Sequence, residues 1–392
     1  MSSNTKKNRK IIRIGFIFNH SFFLGGGEIS LFELIRKLDK KRFKPIVIVP
    51  GSGEIGRKLQ CNNIEVHSIP FPPLREIITL SPIKSFFYLI KFFKKHRIDL
   101  IHANGSRVCF YCAIAGRILK TPVIWHVRES FSDLFYYDWL LANLATIIIC
   151  VSKSVQKKRF KRFGENEKDR IAVVYNGVDT SKFHKNFKNR SEARNKLDIK
   201  PSVVLFGLIG NIIQRKSQDF FIKAFARAKQ IQPDISAKVL IIGHFFDEKY
   251  LNYLRQLVTD LNLHSNIIFR EFTDDISKIL SGIDIFVLSS KSEGFCRSLL
   301  EAMSCGLPII ATRLSEIEEA IIDTKNGLLV DFMNIEKMSS AVIMLCKSKR
   351  LCNEIGTYNR LVAERKFSLI THVKSIESIY LNIFRKSRHY LC

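Results

Sequence analysis

Apolar runs of strand length recur along the chain, each followed by a stretch of helical length and mixed polarity. In the first half they are Ile11–Phe18, Pro45–Val49, Ile64–Ile69, Asp99–Ala103, Val123–Val127, Thr146–Val151 and Ile171–Val174. The second half repeats the style with Ser202–Leu208, Ala237–Ile242, Ile267–Arg270, Ile283–Leu288, Pro308–Ala311 and Gly327–Val330. Several are continuous Ile/Val/Leu runs rather than alternating patterns, which suits strands covered by helices on both faces of a parallel sheet. Strand–helix alternation throughout predicts an α/β architecture with right-handed crossovers. Ligands of such sheets bind beyond the carboxyl ends of the strands, so chemistry is sought in the loops there.

A polar stretch, Asp179–Lys200, interrupts the alternation and carries Lys182, Lys185, Lys188 and Arg190 in close order. With 392 residues and about 100–200 per domain, two doubly wound halves are expected. Their expected bounds are 11–185 and 186–370, after a basic leader at 1–10. A helix in 371–392 is expected to pack back on the N-terminal domain.

Four strand-end segments hold candidate chemistry. After Ile283–Leu288 comes Ser289-Ser-Lys-Ser-Glu293-Gly294-Phe295-Cys296-Arg297-Ser298-Leu299-Leu-Glu301-Ala-Met-Ser-Cys-Gly-Leu-Pro308. Gly294 would permit a tight turn, and a helix should begin near Phe295 with its first amides free to meet a phosphate. Two carboxylates, Glu293 and Glu301, then stand near that helix start. At the end of the first strand of the second half lies Gly210-Asn211-Ile-Ile-Gln-Arg215-Lys216, where a lysine could neutralise a diphosphate leaving group. In the N-terminal half, Leu24-Gly-Gly26-Gly27-Glu28 feeds a helix start, and Trp125-His126-Val-Arg128-Glu129 ends a strand. His102-Ala-Asn104-Gly-Ser ends another strand. Val174-Tyr-Asn176-Gly-Val-Asp179 reads as a turn at the passage between domains.

The second half resembles glycosyltransferase family 4, whose signature E-G-F-x-x-x-x-x-E-A-M-x-x-G-x-P matches residues 293–308 almost letter for letter. The resemblance implies a GT-B fold, two Rossmann-like domains facing across a cleft. It implies that Glu301 binds the donor ribose. Glu293, with the backbone of Gly294 and Phe295, would address the donor sugar. The amides of Cys296, Arg297, Ser298 and Leu299 would serve the diphosphate. Lys216 stands at the family's phosphate-binding lysine, whereas Asn211 stands where the family has arginine, a departure that Arg215 or Arg297 would have to offset. Gly26 and Gly27 fall on the loop over the donor phosphate. His126 falls on the family's cleft histidine, which would orient a sugar hydroxyl or help at the reacting centre. Asn104, Arg128 and Glu129 would lie on the acceptor side. The activity implied is retaining transfer from a UDP- or GDP-sugar to a lipid-linked or glycan acceptor, as in cell-surface polysaccharide or glycolipid synthesis. It would run through a front-face mechanism with no metal for donor binding and no other cofactor.

Charge modifies this picture. The chain carries 63 Lys+Arg against 36 Asp+Glu, a net charge of +27, a field that favours phosphates and anionic surfaces. Lys84–Arg97 holds five basic residues and no acid, and Lys153–Arg162 holds six and no acid. At helical spacing the first puts Lys84, Lys91 and Lys95 on one face, with Phe86, Leu89, Ile90 and Phe93 on the others, the pattern of an interfacial helix. Docking on an anionic membrane is therefore expected. No helix-turn-helix, RNP motif or zinc finger supports nucleic-acid binding, so no nucleic acid is expected as partner. The remaining alternatives are a GT-B-like regulatory subunit, kept open by Asn211, and a sugar-nucleotide epimerase. Neither a signal peptide nor a membrane-spanning helix is expected, since no apolar run approaches about 20 residues, and nine cysteines with a single Cys109-Phe-Tyr-Cys112 fit a reducing compartment and core thiols. A cytoplasmic enzyme, peripheral on the membrane face, is the expectation.

Overall fold

The computed structural model describes residues 11–72, 81–130, 135–164 and 168–389; the basic leader at 1–10 lies outside them. The chain divides into two compact units, Met1–Tyr175 with His372–Cys392, and Asn176–Thr371. The polar stretch Asp179–Lys200 thus belongs to the second unit. Its helix Phe187–Lys196 is tied there by Arg190 and Arg194, which both donate to Asp284, at 2.7 and 2.9 Å. Asp284 also accepts from the amide of Leu205 at 2.8 Å, so one carboxylate fastens this helix to the start of the sheet.

Among the described residues the first unit carries a seven-stranded sheet in the order β3-β2-β1-β4-β5-β6-β7. The strands are β1 Ile12–Ile17, β2 Phe43–Val49, β3 Glu65–Ser68, β4 Leu100–Asn104, β5 Val123–Val127, β6 Ile147–Cys150 and β7 Ile171–Val173. All neighbours pair in parallel. The strand order reverses between β1 and β4, which makes that point the natural ligand crevice of this sheet. β4 runs one residue further than its apolar run, so that Asn104 pairs with His126 of β5. Edge strand β3 is held by Glu65, which accepts from His67 at 2.9 Å and contacts His96 at 3.0 Å and Lys44 at 3.1 Å. The C-terminal helix Leu369–His389 enters this unit at His372. There Tyr380 is wholly buried beside Phe16 and Phe43, and the amide of Asp39 donates to Glu377 at 2.8 Å.

The second unit carries a six-stranded sheet in the order β10-β9-β8-β11-β12-β13. Its strands are β8 Val204–Ile209, β9 Ala237–Ile242, β10 Ile267–Arg270, β11 Ile285–Leu288, β12 Ile309–Thr312 and β13 Leu328–Val330, again parallel. The order reverses between β8 and β11. Helix Gln218–Ile231 buries Phe220, Phe221 and Phe225 completely, and Phe221 and Phe225 pack on Phe206 of β8. Each such side chain contributes about 1.5–3 kcal/mol of transfer free energy. This places a stiff core directly beneath the two loops that leave β8 and β11. Both Cys109 and Cys112 are buried in helix Ser106–Leu119, and burial pushes both thiols up.

Candidate active site

In the second unit the chain leaves β8 at Ile209 and turns at Gly210, whose φ of +154° is one that side-chain-bearing residues avoid. A 3-10 turn, Gln214–Lys216, then brings Lys216 back over that glycine; a Cβ on Gly210 would stand 3.5 Å from Lys216 Cε. Gly243, just past β9, underlies the same turn: a Cβ there would fall 1.9 Å from the Gly210 carbonyl oxygen. The neighbouring loop, Ser289–Cys296, follows β11 and leads to helix Arg297–Ser304. That helix starts two residues later than its sequence pattern predicts. Asn176 donates from Nδ2 to the carbonyl of Phe295 at 2.9 Å and holds it in the loop. Gly294 is not one of the positive-φ residues, so the loop needs no left-handed turn there. The two loops are sewn together. Ser289 Oγ donates to the Lys216 carbonyl at 3.0 Å, the Lys291 amide to that of Arg215 at 2.9 Å, and Ser298 Oγ to that of Ile209 at 3.0 Å.

This sewing brings Glu293 and Lys216 into contact. Lys216 Nζ donates to Glu293 Oε1 at 2.6 Å, as does Ser290 Oγ at 2.6 Å, while Arg215 Nη1 lies 3.7 Å from Oε2. Ser290 is itself fixed by Thr312, whose hydroxyl donates to its carbonyl at 2.6 Å. Burial pushes the Glu293 carboxyl up, but the charges of Lys216 and Arg215 and the two hydrogen bonds outweigh it and leave it below its ordinary value. For Lys216, burial pulls downward, and the charge of Glu293 prevails and raises it. Both groups are therefore ionised. One turn into the helix, Arg297 Nε donates to Glu301 Oε1 at 2.7 Å. Both side chains are buried, and Arg297 Nη1 finds no hydrogen-bond partner among the described residues. A buried guanidinium N–H without an acceptor suits an incoming anion.

In the first unit the matching switch point holds a second cluster. His126, next to last in β5, is wholly buried, and its Nδ1 lies 3.0 Å from Nε2 of the equally buried His102 on β4. Burial first, then the nearby Arg128 charge, holds both imidazoles well below their ordinary value, so both are neutral. Asn104 links the neighbouring segments, accepting from Arg128 Nε at 2.9 Å and donating from Nδ2 to the Gly27 carbonyl at 3.4 Å. Helix Gly26–Lys37 begins here behind an extended Gly25. A Cβ on Gly27 would meet Arg128 Cγ at 3.5 Å, so the loop lies against that side chain. Burial raises the Glu28 carboxyl, with Arg128 opposing. A cavity of about 410 Å³ opens beyond β1, β2 and β3, lined by Asn19, His20, Phe22, Pro50, Phe71 and Arg107 among others. Arg107 donates from Nε to Asn19 Oδ1 at 3.0 Å and lends the cavity a cation.

Residues 24–182 match the family model for Glycosyltransferase Family 4, and residues 189–362 match that for Glycosyl transferases group 1. The chain belongs to glycosyltransferase family 4. A galactosyltransferase of Escherichia coli, UDP-Gal:alpha-D-GlcNAc-diphosphoundecaprenol alpha-1,3-galactosyltransferase, is 26% identical across 96% of this chain and 99% of its own. The capsular polysaccharide glycosyltransferase CapM of Staphylococcus aureus is 24% identical across 97% and 99%. The fold is that of Anabaena HepE, solved with UDP and glucose, at a TM-score of 0.83 over 94% of this chain and 99% of that one, with 22% identity. The fold class is accordingly GT-B.

In the second unit of this family 4 glycosyltransferase, Lys216 and Arg215 meet Glu293, and Arg297 meets Glu301. Cys296 caps the helix with its thiol buried. Ser298 is bonded to β8, and Leu299 is core, leaving its amide as its polar group. Asn211 accepts at its carbonyl from Gln218 Nε2 at 3.1 Å, part of the loop framework. In the first unit Asn104 and Arg128 form one knot and Gly26 opens the helix, but Glu129 is exposed. Sequence reading passed over Ser290, Gly243, Arg107 and Tyr380. Gly243 had a signal, since it follows β9 as Gly210 follows β8; Tyr380 had none, because only tertiary packing sets it against β4.

Proposed function

We propose that Glu293, Lys216, Arg215, Arg297 and Glu301 bind a UDP- or GDP-sugar in the second unit and support its retaining transfer to a lipid-linked or glycan acceptor. The buried Lys216–Glu293 contact at the ends of β8 and β11, beside the Arg297–Glu301 pair, is the observation that carries this reading. Glu293 is held ionised by two cations, Lys216 and Arg215, and the Ser290 hydroxyl, which makes it a poor proton acceptor and a good fixed charge. A dedicated base is not required if the acceptor oxygen bonds to the anomeric carbon as the carbon–phosphate oxygen bond breaks on the same face. The acceptor proton then passes to the leaving phosphate. Lys216 retains N–H donors for that diphosphate, and Arg215 with the spare Nη1 of Arg297 supplies charge where Asn211 replaces the family arginine. Glu301, paired with Arg297 at the helix start, would accept from the ribose hydroxyls. The amides from Cys296 to Leu299 stand at the helix start. These cations meet the diphosphate charge themselves, so binding of the donor is proposed to need no metal. His126 would offer a hydrogen bond to a sugar hydroxyl, and the cavity at Arg107 and Asn19 would seat the acceptor.

The first unit also suits an anionic membrane. Helix Ser81–Lys95 buries Leu89 and Phe93 but exposes Phe87 (66%) and Tyr88 (59%) between Lys84 and Lys91. Helix Phe135–Leu144 exposes Tyr136 (81%) and Trp139 (49%), and helix Ser106–Leu119 packs against both. Exposed aromatics among lysines are the chemistry of an interfacial surface. No helix among the described residues is long and apolar enough to cross a membrane. Arg159, one of the six basic residues in Lys153–Arg162, turns inward to pair with Asp138 under Trp125 and leaves the basic surface.

A thermal-shift screen against UDP-, GDP- and ADP-sugars tests the donor reading: one uridine or guanosine donor should raise the melting temperature, and no shift with any of them would sink it. Sedimentation with vesicles tests the surface. Binding to phosphatidylglycerol vesicles but not phosphatidylcholine vesicles is expected; equal binding to both would refute it.

A further inference from the structure

We infer that Tyr380 fixes the tautomer of His126 through His102, so that His126 presents an N–H, not a lone pair, at its outer ring nitrogen. Tyr380, His102 and His126 are each wholly buried. The phenol oxygen lies 2.7 Å from His102 Nδ1, and His102 Nε2 lies 3.0 Å from His126 Nδ1. Phe16 and Phe43 pack edge-on against the Tyr380 ring, so the phenol is held in this direction.

The proton positions follow from counting donors and acceptors. The contact with His102 is the phenol's hydrogen bond among the described residues. Were His102 Nδ1 to carry the proton and donate to the phenol, two buried groups would lack partners, the phenol O–H and the His126 Nε2 lone pair; with the phenol donating, only the His126 Nε2–H does. Tyr380 therefore donates to His102 Nδ1. His102, being neutral, then carries its proton on Nε2 and donates it to His126 Nδ1. His126, neutral for the same reason, is left with its proton on Nε2. That Nε2 is buried and has no hydrogen-bond partner among the described residues. The chain thus ends in a polarised, uncharged donor, which a hydroxyl or ring oxygen of a sugar would satisfy and a cation or an N–H group would not. The C-terminal helix acts through two histidines, and Tyr380 is a positioning residue. The catalytic consequence rests on the sugar-side role proposed for His126; the tautomer does not.

Long-range proton–nitrogen correlation spectra of the full chain, labelled with ¹⁵N-histidine, read the tautomer directly. His102→Gln and His126→Gln assign the two rings. In the wild type both rings should be protonated at Nε2 alone. In Tyr380→Phe, which keeps the packing and removes the O–H, His126 should become a mixture of tautomers, with kcat falling about five- to tenfold, the equivalent of one neutral hydrogen bond, and donor KM changing less. A wild-type His126 protonated at Nδ1, or an unchanged His126 spectrum in Tyr380→Phe, would overturn the inference. A shifted tautomer with unchanged kcat would uphold the relay and remove His126 from the sugar site.

Discussion

Replacing Lys216 by alanine tests the electrostatic core of the second unit. The substitution strands the Glu293 carboxylate, only 6% exposed, with Ser290 Oγ at 2.6 Å and Arg215 at 3.7 Å as its remaining support. Removing one partner of a buried pair costs about 3–5 kcal/mol, and the surviving arginine places this case near 3. For a unit spanning residues 176–371, about 2–4 °C accompanies each kcal/mol, so the melting temperature should fall by roughly 6–12 °C near neutrality. The pH dependence has a defined sign. In the wild type Glu293 titrates below its ordinary value, so its contribution to stability is complete above the ordinary carboxylate range and is lost as pH falls through the depressed value. Without Lys216, burial dominates and raises the carboxyl. The variant is then most handicapped near neutrality, and the gap to the wild type closes on acidification. Thermal denaturation of wild type, Lys216→Ala and the uncharged pair Lys216→Met with Glu293→Gln, at about pH 7 and about pH 4, measures this. The uncharged pair should regain most of the lost stability while remaining inactive. A Lys216→Ala protein that melts with the wild type at both pH values would refute the reasoning.

Gly243→Ala places a Cβ 1.9 Å from the Gly210 carbonyl oxygen and must displace the turn that carries Lys216. It should cost about 1–3 kcal/mol of stability and about tenfold or more in donor affinity, measured by denaturation and calorimetric titration. Arg215→Ala should lower kcat/KM about tenfold, roughly 1.4 kcal/mol of transition-state stabilisation, because Asn211 leaves Arg215 as a cation of this loop; steady-state kinetics would show it. Chelation by EDTA should leave turnover within about twofold of the untreated enzyme, and abolition restored by a divalent ion would contradict the proposed charge balance.

Legibility in the sequence followed how local the determining interactions are. Strands β8, β9 and β11 were readable because strands covered on both faces are apolar at nearly every position. Lys216 and Glu293 were both placed on strand-end loops, but their meeting depends on β8 and β11 being neighbours and on hydrogen bonds between the two loops, neither of which the sequence displays. The start of helix Arg297–Ser304 was misplaced because Phe295 packs on Phe367, ring centroids 5.4 Å apart, and its carbonyl is held by Asn176. Both partners are remote in sequence. Charge runs concealed side-chain direction: Arg159 reads as one more surface cation, yet lies under Trp125. Helical spacing also placed the lysines of Ser81–Lys95 correctly without showing that Phe87 and Tyr88 share their exposure. The His126–His102–Tyr380 chain joins β5, β4 and the C-terminal helix, and only the folded first unit brings them together.

The central claim is that the two glutamates of the signature bind a nucleotide-sugar rather than act as acid and base. Calorimetric titration of the donor found in the screen, into wild type and into Glu301→Ala of confirmed fold, tests it most directly. Loss of the ribose hydrogen bonds to a charged acceptor should weaken binding about a hundredfold. Unchanged donor affinity in Glu301→Ala would contradict the account.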